Sequence, residues 1–111
     1  MDFDEYEKLA HRTAVFTDRQ EEYKLLYLTL GVVGEVGEVA EKVKKLIRND
    51  DGVITDEKRE ALKHEIGDVL WYLSQLSREL GFRFSEAAKA NIAKLEDRAL
   101  RGVIKSQGDN R

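Results

Sequence analysis

An all-α fold, a four-helix bundle built around a central antiparallel helix pair, is what this chain predicts. Three observations carry the prediction. There is no proline in 111 residues, so no helix interior has to accommodate a missing N–H. Apolar residues recur at three- and four-residue spacing, and no alternating run of useful length suggests a strand. The clearest turn signal, Asn49-Asp50-Asp51-Gly52, falls between the two longest helical stretches and folds them back on one another.

Each element has its own signal. Phe3, Tyr6, Leu9 and Ala10 predict a first helix over residues 2–15. Thr17 with Gln20 three residues on reads as a capping box that opens a second helix, and this helix runs to about Arg48. Lys44, Lys45 and Arg48 suit the negative end of its dipole. Thr55 or Asp56 caps a third helix, which reaches Leu80, with Gly81 as its C-terminal stop. Ser85 caps a fourth helix over 86–100. The remainder, 101–111, contains two glycines and no periodicity, and reads as a loop. No linker or second hydrophobic pattern interrupts the chain, so it is expected to form a single domain over 1–111.

Composition narrows the function. The net charge is −3, with acids and bases interspersed, which does not supply the basic surface that a nucleic-acid scaffold needs. A small anionic substrate is still compatible, because a metal ion can supply positive charge locally. There is no cysteine, so disulfides and thiolate metal sites are excluded, and a cytoplasmic location is expected. No stretch approaches the ~18 apolar residues of a membrane span, so no membrane partner is expected. A helical chain of this length buries only a small core, and Leu25, Leu28, Trp71, Leu76 and Phe84 have too few partners within one copy. Self-association is therefore expected.

Two segments echo each other. Residues 35–39 read Glu-Val-Gly-Glu-Val, and residues 65–69 read Glu-Ile-Gly-Asp-Val. Each carries two carboxylates at i and i+3, on one helical face. The second helix is expected to bury a stripe through Val32, Val36, Val39, Ala40, Val43 and Ile47. The third is expected to bury Leu62, Ile66, Val69, Leu70, Leu73 and Leu80. Both acid pairs are displaced to the same side of these stripes. Counted outward from the turn, Glu38 comes level with Glu65 and Glu35 with Asp68, so four carboxylates converge. At an effective dielectric of 20, two like charges at 4 Å repel by about 4 kcal/mol. Local pairing of Lys42 and Lys45 with Glu38 and Glu41 is one way to relieve this. A hard divalent cation is the other, and an oxygen-only ligand set selects Mg²⁺ or Mn²⁺ over Zn²⁺. In a chain with 22 acids, one such pair is an ordinary solvated face; two in matching phase and level favour the site. Gly31, Gly34, Gly37 and Gly67 each cost their helix roughly 0.8–1 kcal/mol relative to alanine. Close helix packing and room for a bulky anion both explain them.

Gly34-Glu35-Val36-Gly37-Glu38-Val39-Ala40-Glu41 and Glu65-Ile66-Gly67-Asp68-Val69-Leu70-Trp71-Tyr72-Leu73 resemble the paired acidic motifs of the MazG-like nucleoside triphosphate pyrophosphohydrolases. Asn91-x-x-Lys94-Leu95-x-x-Arg98, Arg101-Gly102-Val103-Ile104 and Gly108-Asp109-Asn110-Arg111 are similar to the short, single-domain branch of that family. The similarity runs from about residue 20 to the end. It implies an all-α fold, a homodimer or homotetramer, and Mg²⁺-dependent cleavage of a nucleoside triphosphate to monophosphate and pyrophosphate. Residue by residue, it implies that Glu35, Glu38, Glu65 and Asp68 are the metal ligands. It also places Asn91, Lys94 and Arg98 near the phosphates. One departure is Gly34, which stands where many relatives carry an additional acid.

In the mechanism expected from these residues, water attacks the α-phosphorus in line. Glu38 is the first candidate for general base, because it lies furthest from its apolar stripe. Lys94 and Arg98, at i and i+4, are placed to hold one phosphate chain; a solvated last turn explains them as well. Arg101 and Arg111 are lesser candidates from the tail. Trp71 and Tyr72 are read as packing residues rather than base-stacking ones, and His64 as a surface residue. A ferritin-like di-iron site needs Glu-x-x-His, whereas Ala61 stands three residues before His64. Two alternatives remain open: a pyrophosphohydrolase dedicated to one substrate such as phosphoribosyl-ATP or dUTP, and a catalytically silent nucleotide-binding or helical interaction module.

Overall fold

A computed structural model describes residues 1–102. It contains α1 (Phe3–His11), α2 (Asp18–Glu22), α3 (Lys24–Asn49), α4 (Asp56–Glu79) and α5 (Phe84–Leu100), with no strand among the described residues. The fold is all-α, as expected, and α3 and α4 form its central antiparallel pair. The expected second helix is divided in two. Thr17 does form the capping box, accepting from Gln20 N–H while its own N–H donates to Gln20 Oε1. The helix then breaks at Tyr23, where φ −116° and ψ 34° leave the helical region. The bend sets Phe16 against both Tyr27 and Trp71, with ring centroids 6.2 and 6.3 Å apart. Local periodicity does not register such a tertiary aromatic contact.

The turn between α3 and α4 is built as its composition suggests. Asp51 (φ 53°) and Gly52 (φ 76°) both take positive φ, and the amides of Asp50 and Gly52 donate to the Leu46 carbonyl. That closes the C-terminus of α3. Thr55 caps α4 by accepting from Lys58 N–H, and Gly81 (φ 89°) ends it.

The start of α5 departs from expectation. Ser85 lies inside its first turn and does not cap it. The amide of Phe84 donates instead to Glu7 Oε1 at 2.8 Å, and Ser85 Oγ donates to Asp4 Oδ1 at 2.6 Å. Phe3 meets Phe84 edge to face, at 5.0 Å between centroids. Thus α1 caps α5 from a distance of 77 residues in sequence. The same Glu7 receives Arg78 of α4 at 3.4 Å. Trp71 donates from Nε1 to Thr13 Oγ1 at 2.8 Å and meets Tyr72 at 5.0 Å, so it is a packing residue. α1 is therefore fastened to both α4 and α5.

The interior is small. Among the described residues the buried apolar side chains are Ala10, Leu28 and Leu46. The radius of gyration is 17.1 Å, against about 13 Å for a compact chain of this length. The helices form an open bundle.

Candidate functional site

The seam between α3 and α4 does not follow the expected apolar stripe. Val36, Ala40, Val43 and Ile47 of α3 are exposed, as are Ile66 and Leu80 of α4. Among the residues of α3 that meet α4 are Lys24, Gly31, Glu35, Lys42 and Leu46. Leu28 is fully buried. Gly31 lies against the Tyr72 ring so closely that a Cβ there would overlap it. Lys42 reaches Glu65, and Leu46 shares a small cavity with Ala61 and Leu62. Apolar residues occupy two faces of α3, so periodicity alone does not say which face meets α4. The close approach of Gly31 to the Tyr72 ring marks the face that does, and Glu35, one turn further on, lies inside the contact rather than at its margin.

That rotation determines which acids meet. Carboxylate oxygens of Glu35, Glu65 and Asp68 all lie within 4.8 Å of one another. Glu35 and Glu65 are half-buried and Asp68 is exposed. Glu38 lies outside this trio and is exposed, but it is near enough to act on Glu35 electrostatically. Partial burial raises the Glu35 carboxyl above the ordinary value of 4.5, and the charges of Asp68, Glu65 and Glu38 raise it further. The Tyr72 phenol, one turn beyond Asp68, is also pushed up, by burial first, then by its hydrogen bond with Tyr27, and then by Tyr27, Glu35 and Asp68.

Only Glu65 of the three has an ion-pair partner among the described residues, Lys42 Nζ at 3.6 Å. The local pairing anticipated for Lys45 occurs with Glu41, at 3.8 Å; Lys42 instead crosses to the other helix. Three carboxylates and one ammonium leave a local charge of −2 when all are ionised. Oxygen-only donors at this spacing and this residual charge fit one hard divalent cation that keeps part of its water shell. Gly34, Gly37 and Gly67 have open space where a Cβ would stand, which fits the second of the two roles weighed for glycine. Gly31 fits the first.

The cations anticipated on the last helix are placed differently. Asn91 and Lys94 are exposed, and Arg98 is buried, so the i, i+4 spacing of Lys94 and Arg98 does not give them a common environment. Arg101 is held by Asp97 at 2.8 Å. Helix α5 packs on α1 and α4, with no packing against α3 among the described residues. Arg111 and the tail beyond Gly102 lie outside the described residues. His64 is an exposed residue 3.8 Å from Glu60. Glu7 was not legible as a positioning group, because its role depends on a contact remote in sequence; Lys42 was expected to pair with Glu38 but reaches Glu65 instead. Lys42 had a signal, since it stands seven residues after Glu35 on the same face.

An all-helical chain with a carboxylate trio held between antiparallel helices has a candidate cation site, and comparison with known proteins gives its family. The profile of the MazG nucleotide pyrophosphohydrolase domain matches residues 24–101, and the chain belongs to that family. The match includes all of α3, α4 and α5 and leaves α1 and α2 outside. The chain is 46% identical to the Gene 37 protein of Mycobacterium phage L5, over the full length of both. No solved structure matches. No helix among the described residues is long and apolar enough to cross a membrane.

Proposed function

We propose that this protein is a Mg²⁺-dependent nucleoside triphosphate pyrophosphohydrolase, which converts a (d)NTP to the (d)NMP and pyrophosphate. The observation that carries the reading is the trio of Glu35, Glu65 and Asp68, whose oxygens lie within 4.8 Å inside the family-matched segment. These three residues are the ones that would hold the cation, with Mn²⁺ as the alternative to Mg²⁺. When bound, the cation supplies neutralisation of the triphosphate oxygens and activation of the attacking water.

The chain's own residues account for the rest. Glu38 is exposed beside the trio, not within it, which suits a proton acceptor better than a ligand. Water adds to the α-phosphorus, its proton passes to the Glu38 carboxylate, the bond to the bridging oxygen breaks, and pyrophosphate leaves. Asn91 and Lys94 are exposed and available to phosphate, whereas the burial of Arg98 suits a role in holding α5. Pyrophosphate release from a panel of NTPs and dNTPs, with and without Mg²⁺, tests the reading. Asp68→Asn and Glu35→Gln should each lower the rate by orders of magnitude while the helical signal is retained. Parent-level release by these variants would overturn it.

We also infer that the protein works as a homodimer or a homotetramer. Leu26, Leu30 and Val33 fall at i, i+4 and i+7 on α3 and are all more than half exposed. Such a stripe needs a cover, and the missing compactness of the single chain supports a second copy as that cover. Sedimentation that shows an active monomer at micromolar concentration would overturn it.

A further inference from the structure

We propose that Lys42 is a dual-purpose residue of the site: it serves as the counter-ion of Glu65 in the metal-free protein and turns to the substrate's phosphate chain once the acids hold a divalent cation. The inference rests on the proposed metal reading and goes beyond it, because no acidic motif includes Lys42.

Four observations lead to it. Lys42 Nζ lies 3.6 Å from Glu65 Oε1, across the helix pair. At that distance it is an ion pair without a hydrogen bond of good geometry, and it is held loosely enough to exchange. The lysine side chain is 39% exposed and the glutamate 17%, so the carboxylate is the fixed partner and the ammonium the mobile one. Lysine carries its charge on a flexible four-carbon stem with freely rotating donors, which suits a group that changes partners. Finally, Glu35, Glu38 and Lys42 succeed one another at i, i+3 and i+7 along one face of α3. A phosphate chain anchored at the trio and extended toward the helix C-terminus therefore meets Lys42 first. The residues previously expected in this role lie on α5, which does not pack against α3.

The physical consequence is competition. With a divalent cation on the trio, Lys42 faces a like charge larger than its own, and its attraction to Glu65 is offset. A phosphate oxygen beside the trio then gives it a new anionic partner. Lys42 should thus oppose metal binding when nucleotide is absent and favour phosphate binding when metal is present.

The test uses the full chain and two probes, Mn²⁺ alone and inorganic tripolyphosphate in the presence of Mn²⁺. Free Mn²⁺ is followed by its paramagnetic resonance signal, and tripolyphosphate by calorimetry. Lys42→Met keeps the stem and removes the charge. It should bind Mn²⁺ more tightly than the parent by up to about fivefold, the scale of one exposed ion pair, and bind tripolyphosphate about tenfold more weakly, as expected for one lost charge-assisted contact. Lys42→Arg, which keeps the charge, should stay near the parent in both. Unchanged or weaker Mn²⁺ binding by Lys42→Met would overturn the counter-ion role. Unchanged tripolyphosphate binding would overturn the phosphate role. If the parent and Glu35→Gln both fail to bind Mn²⁺, the metal reading itself is wrong and this inference falls with it. That result is distinct from a parent that binds Mn²⁺ and a Lys42→Met variant that behaves identically.

Discussion

Glu35 concentrates the chemistry of the site in one side chain. It sits on the α3 face that meets α4, where partial burial and three neighbouring acids all disfavour its charge. The folded-state pKa therefore lies above the ordinary 4.5. For an acid shifted in this direction, the folded state binds the proton more tightly than the unfolded state does. Stability is thus lost as pH rises from the ordinary value through the raised one. In the presence of a chelator, Glu35→Gln should melt at a higher temperature than the parent at neutral pH, and the advantage should shrink below the ordinary glutamate value. Saturating Mg²⁺ should reverse the order, because the amide gives up a ligand charge. Thermal melts across pH, with chelator and with Mg²⁺, check both signs. A variant that is less stable than the parent in chelator at neutral pH would show that Glu35 is not under electrostatic strain there.

Helices α3 and α5 each carry a device that can be tested as an element. In α3, three glycines share a composition but not a role. A Cβ on Gly31 would overlap the Tyr72 ring, whereas nothing lies within 4 Å of a Cβ on Gly34 or Gly37. Gly31→Ala should lower stability, since overpacking of about 1–3 kcal/mol exceeds the roughly 1 kcal/mol gained in helix propensity. Gly34→Ala and Gly37→Ala should raise stability by up to about 1 kcal/mol, unless a second copy packs there, in which case they weaken association instead. Urea unfolding together with sedimentation separates the two outcomes. In α5, the cap comes from Glu7. Glu7→Ala removes the acceptor for Phe84 N–H and the partner of Arg78, and should cost about 1.5–3 kcal/mol, the range for charged hydrogen bonds. Amide exchange at the start of α5 should rise more than exchange in the α3–α4 pair. Glu7→Gln keeps an oxygen for Phe84 and should lose less.

At the scale of the whole molecule, the shortage of core is the dominant fact. Among the described residues three small or medium apolar side chains are buried, while Leu26, Leu30, Val33 and Ile47 are all more than half exposed. A single copy with this surface has little hydrophobic burial to set against its conformational entropy. Folding and association should therefore be linked by mass action. The melting temperature should rise with protein concentration over the micromolar range, and Val33→Asp or Leu30→Asp should abolish that dependence and lower the melting temperature. A concentration-independent melt of the parent would show that one chain is stable alone. Helix α3 carries both the exposed stripe and Glu35.

The sequence by itself determined the helical class and the antiparallel pair, because these follow from local rules: no proline, a capping residue at Thr55, and a turn at residues 49–52. It also determined the acidic motifs, since i, i+3 spacing places two carboxylates on one face whatever surrounds them. Only the tertiary structure decided which face of α3 meets α4. Both faces are apolar enough to serve, and the close approach of the Tyr72 ring to Gly31 marks the one that does. That rotation brings Glu35 together with Glu65 and Asp68, sets Glu38 aside, and brings in Lys42. The division of the second helix at Tyr23 and the capping of α5 by Glu7 were likewise outside local reach, because each depends on a partner brought near by the fold and not by the chain.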